Sequence, residues 1–162
     1  MFGYSRSQAV GYRAEQWIGE QLEARGYHVK FDPDWFNKGF DLTVNGIPCE
    51  VKFANRTDRF YRNQAGLQVV YPRWQFCIYP TSHHMQNDWL LILIAQAGDE
   101  RYIYIVPGAL VNNRTHIQLT QHPLKYRGWI AQYLNRFELI DYLANKVYQN
   151  GGPLFTEWMA TA

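Results

Sequence analysis

From residue 7 to about residue 25 the apolar side chains Val10, Ala14, Trp17, Ile18 and Leu22 recur every three or four positions. That is the period of a helix with one buried face, and Gly26 supplies its stop. Residues 27–31 then alternate as a strand does, and Asp32-Pro33-Asp34 reads as a turn. Two further strands, 40–44 and 47–53, flank Asn45-Gly46, the dipeptide best suited to a two-residue hairpin turn. Residues 54–72 show no clear period and read as a loop or excursion. Beyond them, 74–79 alternates weakly, and 89–95 is a continuous apolar run typical of a central strand. Residues 102–106 form another strand, ended by Pro107-Gly108, and 116–119 is a short edge strand. Asn135-x-x-Glu138 has the form of a capping box, opening a helix with Leu139, Ile140, Leu143 and Val147 on one face and closing near Asn150-Gly151-Gly152. The order predicts one α/β domain over residues 1–152, followed by a C-terminal tail, 153–162.

The hairpin carries the chemistry. If Asn45-Gly46 is the turn, Val44 pairs with Ile47 and the register sets Asp41 opposite Glu50, at a non-hydrogen-bonded position where Cα atoms approach to roughly 4.5 Å. Phe40, Leu42 and Val44 then share an apolar face with Cys49, Val51 and Phe53, while Asp41, Glu50, Lys52 and Thr43 occupy the other. Gly39 falls opposite Lys52 and leaves room beside the ammonium, and Pro48 fits this face because its missing amide points away from the partner strand. Like charges facing each other are destabilising unless something positive lies between them. Two converging carboxylates with a neighbouring lysine suit a hard cation of the Mg²⁺ type, which keeps several waters and takes substrate phosphate oxygens as ligands. The bland alternative is a half-exposed hairpin in which Lys52 simply neutralises nearby acids.

Composition narrows the setting. The 162 residues suffice for one core without disulfides or a structural metal. Net charge is only +2, so any nucleic-acid footprint has to be a local patch. Aromatics make up 17%, more than a minimal core needs, which leaves rings for binding surfaces. Cys49 and Cys77 are too few for a disulfide scaffold and lack zinc-site spacing, so buried free thiols are expected. With neither a signal-like start nor a membrane-length apolar run, a cytoplasmic setting is the expectation.

The stretch Gly-Phe-Asp-Leu-Thr-Val-Asn-Gly-Ile-Pro-Cys-Glu-Val-Lys-Phe, residues 39–53, resembles the PD-(D/E)xK nuclease superfamily, whose signature is an acid on one strand and Glu/Asp-x-Lys on the next. Residues 7–95 are similar to the family's order of helix, three-stranded meander and further strand. Gly11-Tyr-Arg-Ala-Glu15 is similar to its first-helix glutamate element. Phe40 stands where the family usually has proline, and the family's helix after Glu-x-Lys is not visible in residues 54–79. The resemblance implies a restriction-endonuclease-like core: an N-terminal helix followed by a mixed sheet with flanking helices. It implies a Mg²⁺-dependent DNA endonuclease, with Mn²⁺ able to substitute. Asp41, Glu50 and the Val51 carbonyl would hold the metal, and Lys52 would activate water. Glu15 would position a second metal or water, or else is a solvent-facing helix residue.

Downstream, Arg56, Arg59, Arg62 and Arg73, interleaved with Phe60, Tyr61, Tyr71 and Trp74, are candidate DNA contacts, with a plain solvated loop as the alternative. Gln75 is similar to a glutamine that resolvase-like members place after the motif. His83-His84 with Asn87 and Asp88 have no second histidine cluster to support a metal site and read as loop residues. Arg127, Trp129 and Tyr133 suit either an auxiliary DNA or dimer surface or core packing. One metal site cuts one strand, so double-strand cleavage implies a homodimer or higher symmetric assembly. Site-specific cleavage of restriction or intron-homing type, junction resolution, and DNA binding without cleavage all stay open.

Overall fold

The computed structural model describes residues 6–31, 40–78 and 88–149. The Asp32-Pro33-Asp34 turn, Gly39, His83, His84, Asn87, the Asn150-Gly151-Gly152 stop and the tail from Pro153 lie outside them. The chain is α/β: helix α1 (Arg6–Ala24), strands β1 (Val29–Phe31), β2 (Leu42–Val44), β3 (Ile47–Asn55), β4 (Thr57–Arg62), β5 (Gln68–Cys77), β6 (Leu90–Ala97), β7 (Glu100–Pro107) and β8 (His116–Leu119), then helix α2 (Glu138–Gln149).

Five strands form a mixed sheet in the order β1-β2-β3-β6-β7, with β3 and β6 parallel and the other neighbours antiparallel. β6 is its centre. Leu90 to Ala95 are wholly buried, as the unbroken apolar run requires of a strand covered on both faces. On one face Ala14, Ile18 and Leu22 of α1, Ile140 and Leu143 of α2, and Phe137 just before it pack against Cys49, Val51, Ile92 and Ile94. On the other, Trp74, Phe76, Ile117 and Leu119 of a three-stranded sheet, β4-β5-β8, cover Leu91, Leu93 and Tyr104. The Trp74 Nε1 donates to the Gln96 carbonyl at 2.7 Å and ties the two sheets together. Each such buried aliphatic side chain contributes about 1.5–3 kcal/mol, so the two cores fix where β3 sits.

Two expectations need correction. Residues 54–72 are not a loop: they continue β3 and then form the hairpin of β4 and β5, closed by a turn in which Gly66 takes φ +78. The capping box is not made. The Asn135 N–H donates to the Ile103 carbonyl at 2.8 Å, and the Glu138 carboxylate accepts from Arg136 at 2.9 Å. With φ +57, Asn135 lacks the extended backbone of an N-cap, and α2 begins only at Glu138.

Candidate active site

Asn45 and Gly46 both take positive φ, +48 and +82, as a type I′ turn demands. The ladder beside them pairs Val44 with Ile47, Thr43 with Pro48 and Leu42 with Cys49. It stops there, one residue before Asp41 would face Glu50. The Asp41 N–H donates to the Cys49 carbonyl at 3.1 Å, and the Asp41 Oδ2 accepts the Val51 N–H at 2.7 Å. Where β2 ends, an amide of β3 would lose its ladder partner, and the carboxylate replaces it. Asp41 therefore lies out of register but is held firmly against the Glu50-Val51-Lys52 segment.

A cleft of about 760 Å³ opens here, lined by Glu15, Val10 and Gly11 of α1 with Asp41, Val51, Lys52, Phe53 and Asn55. Arg6 at the start of α1 completes its rim. Lys52 Nζ lies 3.0 Å from Glu50 Oε1 in a half-buried ion pair. The Glu15 and Asp41 carboxyls lie within hydrogen-bonding reach of each other, an arrangement that favours a proton on Glu15. Burial, then the charge of Asp41 and that hydrogen bond, push the Glu15 carboxyl up to about 7, against the opposing pull of Lys52. Burial also raises Asp41; the Glu50 charge adds to this, while the Val51 N–H and Lys52 oppose it. Without a cation, a proton on Glu15 relieves the crowding of negative charge.

Among the described residues no three His, Cys, Asp or Glu side chains form a ready-made metal cage. Magnesium sites on nucleotidyl substrates characteristically use one or two carboxylates plus waters and phosphate oxygens. Two partly buried acids, both raised by burial and by a neighbouring carboxylate, with a main-chain carbonyl nearby, have the donor chemistry for such an ion.

The structure thus brings Asp41, Glu50, Lys52 and Glu15 together. It does not bring Arg56, Arg59, Arg62, Arg73 or Gln75 to the cleft; they lie on β4, β5 and the residue between β3 and β4. Arg56 is paired with Asp58 at 3.0 Å. Arg6, Phe53 and Asn55 were not singled out from sequence. Alternation assigned Phe53 to the apolar face of the hairpin and leaves Asn55 on that same side, so neither was open to that inference; Arg6 carried no signal. Trp129 and Tyr133 are half-buried against the second core, with the Arg114 guanidinium over the Trp129 ring, and Arg127 is exposed. Cys49 is buried as expected, but Cys77 is exposed.

A helix, a mixed sheet whose β2-β3 hairpin presents acids and a lysine, and a covering helix define an α/β protein with a nuclease-like fold. No family model and no curated protein matches the chain. Among solved structures, the fold is similar to that of I-Ssp6803I, a bacterial homing endonuclease: the TM-score is 0.61, over 89% of this chain and 98% of that one, at 13% sequence identity. At that identity the likeness is one of fold.

Proposed function

We propose that this protein is a Mg²⁺-dependent DNA endonuclease of the PD-(D/E)xK kind, site-specific and acting as a symmetric oligomer. The observation that carries the reading is that Glu15 of α1 and Asp41 and Lys52 of the hairpin line one cleft, with Glu50 paired to Lys52 beside it. A fold shared with a bacterial homing endonuclease supports DNA as the substrate.

Asp41, Glu50 and the Val51 carbonyl would hold the ion. When bound, it supplies charge stabilisation at a non-bridging phosphate oxygen and acidifies a coordinated water. Lys52 orients that water and offsets charge developing on the phosphate, at a point where Glu50 fixes its ammonium within 3.0 Å. Glu15, once ionised, would accept a hydrogen bond from water in the cleft and orient it. The Val51 N–H holds Asp41 in place throughout.

The test incubates wild type and Lys52→Ala with plasmid, linear duplex and four-way junction, in Mg²⁺ or EDTA. Cleavage that needs Mg²⁺ and falls about 10²- to 10⁴-fold in the variant is the expected result. Cleavage confined to the junction would make the enzyme a resolvase. Binding without cleavage of any substrate would leave a DNA-binding protein on a nuclease fold.

A further inference from the structure

The β4-β5 hairpin has little to do with either core. Every residue of β4 is exposed, and Phe60 is 70% exposed. Six cross-strand pairs, from Thr57 with Arg73 to Arg62 with Gln68, carry it outward, roughly 20 Å at about 3.4 Å per residue. The tip is stiffened internally: the Asn63 N–H donates to the Leu67 carbonyl and the Asn63 side chain accepts the Leu67 N–H, both at 2.9 Å.

The register divides the arm into two unlike faces. Thr57, Arg59 and Tyr61 share one with Arg73, Tyr71 and Val69, and the Tyr61 and Tyr71 rings lie 6.1 Å apart on it. Asp58, Phe60 and Arg62 share the other with Pro72, Val70 and Gln68. Among the described residues Arg59 has no carboxylate at ion-pair distance, and the Arg73 Nε is buried without a hydrogen-bond partner. Among the described residues neither guanidinium is held in an ion pair with a carboxylate.

We propose that this arm is a base-reading ribbon that enters the DNA major groove and determines target sequence through its Arg59, Arg73, Tyr61 and Tyr71 face. The proposal rests on DNA being the substrate. The major groove, about 12 Å wide, admits a two-stranded ribbon, and arginine forks onto the two acceptors of guanine are its commonest specific contact. The tyrosines add hydroxyl donors beside them. The opposite face is apolar at its centre and carries Asp58, with Arg62 and Gln68 only at its tip and no tyrosine beside them.

The test selects bound and cleaved sequences from a pool of randomised duplexes, binding being measured in Ca²⁺ and cleavage in Mg²⁺, for wild type, Arg59→Ala and the opposite-face control Phe60→Ser. Wild type is expected to select a defined sequence. Arg59→Ala should lose about tenfold to hundredfold discrimination at one or two positions while the others persist. Phe60→Ser should keep the full profile, and thermal melts should show all three folded. If Arg59→Ala keeps every preference and only weakens binding evenly, with a shallower salt dependence, the arm is a phosphate contact and the proposal falls. It falls too if wild type cuts without preference, although the nuclease reading then stands. Selective binding without cleavage overturns the nuclease reading and leaves this one intact; a pool that is neither bound nor cut overturns both.

Discussion

Burial and neighbouring carboxylates push both Glu15 and Asp41 upward, and the sign of the resulting pH dependence follows. Both acids titrate higher in the folded chain than in the unfolded one, Glu15 at about 7 against 4.5. The folded state therefore binds more protons, and this contribution to stability is present below pH 4.5 and lost as pH rises through about 7. In EDTA the melting temperature is expected to fall over that window. Added Mg²⁺ competes with the proton, so the stabilisation it gives should be larger at pH 8 than at pH 5, by a few degrees. In Glu15→Gln the alkaline loss should shrink, because one of the crowded charges is gone. Differential scanning fluorimetry across pH, with and without Mg²⁺, measures all three; a pH-independent Mg²⁺ effect would mean that these acids do not hold the ion.

The elements differ in how far they could be read in advance. α1 was legible because Ala14, Ile18 and Leu22 recur at one helical face and are buried there, although Val10, assigned to that face, is exposed and lines the cleft instead. The β2-β3 hairpin was legible because its turn chemistry is local and specific. Asp41 was misplaced by one step, since alternation says where a ladder can run but not where it ends. The arm was invisible for a physical reason: both faces of β4 meet solvent, so no burial imposes a period of two on Thr57 to Arg62. The Asn135 motif failed because a distant carbonyl, that of Ile103, takes the amide a local cap would need. The turn yields a prediction of its own. Gly46→Ala forces a side chain into φ +82, at a cost of about 1–2 kcal/mol. The melting temperature should drop by about 2–8 °C. Metal-dependent cleavage should drop with it, because the turn sets the β2-β3 register that brings Asp41 against the Val51 N–H. Asn45→Ala, also at positive φ, should behave alike, and a loss of neither stability nor cleavage in both would detach the site from the turn.

At the scale of the whole molecule, β3 and β6 lie parallel, and parallel neighbours need a long crossover. Here the crossover passes through the β4-β5 arm, so the strand bearing Glu50 and Lys52 runs almost directly into it. The strand of the proposed catalytic site and the proposed recognition arm are thus joined at Asn55 and Arg56. Charge follows the same division: residues 56–73 hold four arginines against one aspartate, a surplus of three, in a chain whose net charge is +2. One cleft per chain can cut one strand at a time, so cutting both strands at one locus calls for two copies related by symmetry. The expected outcome is direct conversion of supercoiled plasmid to linear product, with little nicked intermediate, at protein concentrations where sedimentation gives twice the 19.1 kDa chain mass or a higher even multiple. Dilution below the dissociation constant of the assembly should let nicked circles accumulate, and doping wild type with excess Lys52→Ala should do the same by pairing each active cleft with an inert one. Rapid linearisation by a species that sediments as a monomer would remove the need for symmetry and assign both cuts to a single cleft acting twice.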